Sequence, residues 1–245
     1  MYMKILCIGN SFSTDATTYL SRVAASAGIT LETYNLYIGG CSLERHWNNV
    51  KTEAKEYLLE INGVSTEKMV SIQDMLEESY DVITLQQASH FSTKYETYQP
   101  YLNNLTNWLR DHGKFGEFVL HQTWAYEEGS KRLTEEMGYQ NQADMFYDLK
   151  EAYAQAARDS GILRMIPSGQ MFQDLLQAGI GKIHRDTFHA LIPMGRYALA
   201  LLWFTVLTGI SPRKVTFCPE GMNEILAKAV RELVHASYLG FQEKK

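Results

Sequence analysis

Short apolar runs alternating with helically periodic segments constrain this chain more than any other feature. Ile5-Leu6-Cys7-Ile8, Val82-Ile83-Thr84-Leu85, Phe118 to Trp124 and Ile162 to Ile166 have the length and composition of strands buried on both faces. Leu31 to Ile38 is a further extended segment, less sharply divided between its faces. Between these runs, apolar residues recur at helical spacing: Ala16, Leu20, Val23, Ala24 and Ala27, then Leu102, Leu105, Trp108 and Leu109, then a longer helix over about 143–158. This alternation predicts an α/β fold, a three-layer sandwich whose mainly parallel, five-stranded sheet is covered on both faces. Sheets of that kind bind ligands at the carboxyl ends of their strands.

Punctuation residues divide the chain in the same way. Gly28, Gly113 and Gly161 stand where helices stop, Pro100 lies in a first helical turn, and Ser71 followed by Asp74 makes a capping box. Asn62-Gly63 between two apolar runs signals a hairpin with a type I′ turn, read as an insertion over about 55–70 of a single domain spanning 1–245. Gly129 to Gly138 reads as a polar loop over the site. Ala198 to Leu207 is the most apolar run, but a bilayer span needs about 20 residues, so it is expected as a buried core helix. A last helix over about 220–238 carries a stripe of Ile225, Val230, Leu233 and Val234.

Composition narrows the partners. A net charge of -5 with no basic stripe argues against nucleic acid, and no segment argues for a membrane. Cys7, Cys41 and Cys218 match no zinc spacing and are read as reduced thiols of a reducing compartment. The chain enters a strand within a few residues of Met1, which leaves no room for a signal peptide and points to the cytoplasm; a chain trimmed of its export signal would read the same. Oligomeric state is not legible.

The candidate chemistry starts at Gly9-Asn10-Ser11, where the first strand runs out just before a helix that Ser13, Thr14 or Asp15 is placed to cap. On this stretch alone Ser11 reads as an ordinary loop or capping serine. As a nucleophile it needs a base within hydrogen-bond reach and a group to orient that base. Among seven histidines, His46, His90, His112 and His235 read as surface or packing residues, and His121 and His184 as structural ones. His189 differs because Asp186 precedes it by three residues, which puts both side chains on one side of a turn. Asp186 can then hold Nδ1–H and leave Nε2 free for a serine proton. Donors for a developing oxyanion are the backbone N–H of Ser11, the N–H of Gly40 in Gly39-Gly40, and the amide of Gln86, with Gln87 as its alternative. Gly9-Asn10-Ser11 lacks the spacing of a dinucleotide-binding loop.

The order of these features resembles the SGNH, or GDSL-like, hydrolase superfamily: Gly-Asn-Ser near the start, glycine after the second strand, a polar pair after the third, and Asp-x-x-His late in the chain. More narrowly it resembles an uncharacterised branch that opens with Gly-Asn-Ser-Phe-Ser and carries Leu-Gln and Thr-Trp after later strands. The likeness covers nearly the whole chain and implies a flavodoxin-like fold, Ser11 as nucleophile, His189 as base, Asp186 as its orienter and Gly40 as an oxyanion donor. Gln86 resembles a glutamine found at this place in some carbohydrate acetylesterase branches. There are departures: Asn10 replaces the usual aspartate, the Gly-x-Asn block is absent, and Ala88 stands where its asparagine would align. The expected activity is a serine esterase without metal or cofactor that removes a small acyl group, acetyl for instance, from a small-molecule or glycan ester. The alternatives are a non-catalytic binder of carbohydrate or acyl ligands, or an acyltransferase with the same triad. Trp47, Trp124 and Tyr126 are read either as surfaces for a sugar ring or as packing.

Overall fold

The computed structural model describes residues 1–243. Among these residues, seven strands form one sheet: β1 (Tyr2–Ile8), β2 (Thr30–Tyr37), β3 (Tyr57–Ile61), β4 (Val64–Val70), β5 (Ser79–Leu85), β6 (Lys114–His121) and β7 (Arg164–Ile166), in the spatial order β4-β3-β2-β1-β5-β6-β7. The helices are α1 (Ser11–Thr17), α2 (Leu20–Ser26), α3 (Leu43–Thr52), α4 (Ile72–Met75), α5 (Tyr101–His112), α6 (Gln142–Ser160), α7 (Ser168–Gln177), α8 (Met194–Thr208) and α9 (Glu224–Gln242).

β1, β2, β5, β6 and β7 run parallel, in the relative order of flavodoxin-like sheets. The expected count of five strands is corrected to seven, because the β3–β4 hairpin does not stand apart. It pairs antiparallel along β2 and prolongs the sheet. Its turn places Asn62 at φ 52° and Gly63 at φ 77°, as a type I′ turn requires.

Alternation along the strands builds two cores. Ile5 and Cys7 of β1, with Val82 and Val119, face the layer of α1, α2, α7, α8 and α9, whereas Leu6, Ile8, Ile83, Leu85 and Leu120 face α3 to α6. α8 is buried almost all round, which is why its sequence shows no polar face. No helix of the described residues is long and apolar enough to cross a membrane.

Two local expectations change. The single helix from Ala16 to Ala27 is broken into α1 and α2 at Thr18-Tyr19, where the hydroxyls of Thr17 and Thr18 bond back to the carbonyls of Ser13 and Thr14. Such back-bonding weakens and bends a helix. In α9, Val230 and Val234 are buried but Ile225 is 85% exposed, because it lies in the opening turn before the packed stripe begins.

Candidate active site

Ser11 is the first residue of α1, at the carboxyl end of β1 and beside β5, where the order of the parallel strands reverses. The cap of α1 is Asn10 rather than Ser13, Thr14 or Asp15. Asn10 Oδ1 accepts from Phe12 N–H at 3.0 Å, and Ser13 Oγ accepts from Asn10 N–H at 3.0 Å, a reciprocal capping box. The helix therefore starts earlier than expected, and the Ser11 N–H is left without an acceptor among the described residues. Gly9 permits this close packing: a Cβ there would lie 2.4 Å from Ser13 Oγ.

His189 Nε2 lies 2.9 Å from Ser11 Oγ, and His189 Nδ1 lies 2.8 Å from Asp186 Oδ2. The other Asp186 oxygen accepts from the His189 N–H at 2.9 Å, so one carboxylate sets both the backbone and the ring. Partial burial pushes the Asp186 carboxyl up. Its hydrogen bonds to His189, with the charges of His189 and Arg185, outweigh this and hold it below the usual carboxylate range. The ionised Asp186 only accepts, so Nδ1 carries the proton and Nε2 accepts from the serine hydroxyl.

Residues from other elements hold this loop. Between Asp186 and His189 the chain passes through Thr187 at φ 75°, a left-handed conformation uncommon for a β-branched residue. Asp15, fully buried on α1, accepts from Arg185 Nη1 at 2.8 Å, Arg196 Nε at 2.8 Å and the Ala190 N–H at 2.9 Å. It thereby ties the helix that carries Ser11 to the loop that carries His189. Trp124 is also buried: it stacks on Phe12 with centroids 4.1 Å apart and donates Nε1–H to the Phe188 carbonyl at 2.7 Å.

Gly40 lines the same cleft at φ 61°, and its N–H has no acceptor among the described residues. Gln86 does not line the cleft. It is buried, and its Nε2 donates to Asn10 Oδ1 at 2.7 Å while its Oε1 faces His121 Nδ1 at 2.7 Å. Asn10 Nδ2 in turn donates to the Cys41 carbonyl at 3.1 Å. Fixed backbone partners orient Asn10, which orients Gln86, which requires the proton on His121 Nδ1 and leaves Nε2 to accept from Ser168 Oγ–H at 3.1 Å. Burial pushes His121 down to about 3, so it stays neutral at ordinary pH. Gln86 is thus occupied in bracing Asn10 and the Gly40-Cys41 turn. Gln87 is similarly committed, to Leu43 N–H, Ala88 N–H and Thr97. Replacing Gln86 by Met should cost about 1–3 kcal/mol in urea unfolding, because a buried His121 N–H loses its acceptor; a variant as stable as wild type would show that the relay carries no stability.

The cleft has a volume of about 630 Å³, and its lining includes Ser11, Gly40, Tyr126, Arg132, Phe188 and His189. Of the aromatics considered for a sugar ring, Trp124 is core and Trp47 packs on the far layer. Only Tyr126 reaches the cleft, where Tyr37 and Phe188 join it. His90 also lines the cleft rather than the general surface, and its Cε1 would lie 3.8 Å from a Cβ on Gly40. His46 and His184 are packing residues, bonded to Tyr57 and to the Ala125 carbonyl. Sequence reasoning missed the roles of Asn10, Asp15 and Arg185. For Gln86 and His121 a signal existed, since Leu85 pairs with Leu120 and the next residues on both strands emerge side by side. Among the described residues no three His, Cys, Asp or Glu side chains gather as a metal site.

The fold that places this serine after the first strand of a 2-1-3-4-5 parallel sheet, facing a late Asp-x-x-His, is shared with solved structures. A candidate SGNH hydrolase from Slackia heliotrinireducens has the fold at 24% identity and a TM-score of 0.60, over 84% of this chain and 100% of that one. An acetylxylan esterase from Geobacillus stearothermophilus has it at 13% identity and a TM-score of 0.53, over 88% and 95%. The chain belongs to the family described as "Domain of unknown function (DUF4886)", whose model matches residues 4–237. A crystal structure of a DUF4886 family protein from Bacteroides uniformis ATCC 8492 is 36% identical, with a TM-score of 0.92 over 98% of this chain and 95% of that one. No curated protein matches the sequence.

Proposed function

We propose that this protein is a serine esterase that removes a small acyl group, acetyl for instance, from a carbohydrate or similar polar ester. The observation that carries the reading is the continuous chain from Ser11 Oγ through His189 to Asp186, with links of 2.9 and 2.8 Å, opening on a cleft. The acetylxylan esterases that share the fold support an acyl-ester substrate.

In this mechanism Ser11 Oγ attacks the ester carbonyl carbon while its proton passes to His189 Nε2. The carbonyl electron pair moves onto oxygen, where the N–H groups of Ser11 and Gly40 are the available donors. As the tetrahedral centre collapses, the bond to the alcohol oxygen breaks and His189 returns the proton to the departing alcohol. Water then attacks the acyl-Ser11 ester, giving a proton to His189, which passes it back to Ser11 Oγ as the acid leaves. Asp186 stabilises the imidazolium formed in each half and remains ionised.

A fluorophosphonate probe should label the folded protein at Ser11 and leave Ser11→Ala unlabelled, as read by intact mass and peptide mapping. An unlabelled, folded wild-type protein would overturn the esterase reading in favour of a binder on the same fold. Short acyl esters and acetylated sugars, assayed with and without an added sugar acceptor, separate hydrolysis from acyl transfer.

A further inference from the structure

Three arginines line the cleft, and they are not equivalent. Arg185 and Arg196 are committed to the buried carboxylate of Asp15. Arg132 has no such partner. It opens the short helical turn Arg132–Glu136 within the loop over the site, and that turn is anchored by the buried Leu133. Among the described residues its nearest carboxylate is Glu136, at 3.7 Å on a side chain 60% exposed. Its guanidinium instead lies over the Phe188 ring, 4.0 Å from the centroid, with Tyr126 at 5.8 Å. The Phe188 ring in turn lies 3.8 Å from the His189 ring. Besides its contacts with the Tyr126 hydroxyl and the exposed Glu136, a guanidinium held by its face keeps in-plane N–H groups for a ligand, and they match a carboxylate. Both ends of the stack are rigid, since Trp124 bonds the Phe188 carbonyl and Ser89 Oγ lies 2.9 Å from the Tyr126 hydroxyl. Glu60, the remaining acidic group of the lining, is bonded to Thr14 and Asn35.

We infer that the cleft takes an ester that also carries a carboxylate, and that Arg132 binds this carboxylate one ring away from the base. The inference rests on the esterase reading and refines its substrate class from polar to anionic. The carboxylate belongs either to the alcohol, as in an acetylated uronic acid, or to the acyl group, as in a dicarboxylic half-ester.

Two matched pairs test this: acetylated glucuronic acid against acetylated glucose, and 4-nitrophenyl hemisuccinate against 4-nitrophenyl butyrate. In wild type the anionic member of one pair should have the higher kcat/KM, and the pair that shows this identifies the side bearing the charge. Arg132→Gln should lower that anionic-to-neutral ratio by about 10- to 100-fold, chiefly through KM. Arg132→Lys, which keeps the charge without the planar fork, should lower it less, and the preference should shrink as salt rises. Wild-type ratios at or below one in both pairs, or ratios unchanged in both variants, would overturn the inference. Turnover of the neutral esters reports on the esterase reading separately. If no ester is turned over, calorimetry of free glucuronate and succinate against glucose decides, and equal binding by wild type and Arg132→Gln counts against the inference.

Discussion

His189→Ala is expected to lower kcat by at least about 10⁴ with the melting temperature close to that of wild type. The ring is 17% exposed and bridges Ser11 to Asp186 rather than filling the core, so its removal deletes the proposed proton acceptor and little packing. The rate should also fall on acidification, because a protonated Nε2 cannot accept from serine. The carboxyl of Asp186 is held below the usual carboxylate range, which keeps it ionised as the orienting acceptor. Whatever stability this carboxylate contributes is present above its ordinary unfolded pKa and is lost as pH falls through its lower folded value. Steady-state kinetics from about pH 5 to 8 decide the point, and a flat profile would rule out a histidine base.

Asp15→Ala should be the most destabilising single change near the site, by about 3–5 kcal/mol, because it leaves two arginines and a backbone N–H facing a buried void. Asp15 is fully buried, accepts from Arg185, Arg196 and the Ala190 N–H, and joins α1 to a loop far along the chain. Activity should fall as well, since the distance between Ser11 and His189 is set across this clamp. Asp15→Asn, which keeps the shape but offers one acceptor oxygen, should fall between Ala and wild type. Urea unfolding together with kinetics at low temperature, where the variants remain folded, checks both parts. A loss below about 1 kcal/mol for Asp15→Ala would show that the arginines find other partners.

Several features were legible because they are encoded within a turn or two of chain. Asp186 and His189 are three residues apart, so a single turn brings them together whatever the rest of the molecule does. The capping box of Ser71 and Asp74 and the type I′ turn of Asn62-Gly63 are local in the same sense. The helix start at Ser11 was not, although it too is local, because Asn10, Ser13, Thr14 and Asp15 all suit a cap and only the capping box picks one. The amide of Gln86 was misplaced for a different reason. A strand-end position shows that a side chain is near the sheet edge, but its partners Asn10 and His121 lie on other elements, so the direction it points is a property of the packed edge. The same holds for Trp124, whose size suits a sugar platform as well as a core and which the packing of Phe12 and Phe172 makes a core residue.

By itself, then, the sequence determined the alternation of strands and helices, the parallel sheet with a serine at the tip of its first strand, and the Asp186–His189 pair. Each follows from periodicity, turn chemistry or a spacing of a few residues, where the chain's own geometry leaves few choices. The tertiary structure alone decided that His189 meets Ser11 across 178 residues of chain, that Asp15 clamps Arg185 across 170, that the hairpin completes the sheet, and that Gln86 braces the turn beside Gly40 instead of reaching the cleft. Contacts between distant elements depend on how whole layers pack, and no pattern within one segment specifies them.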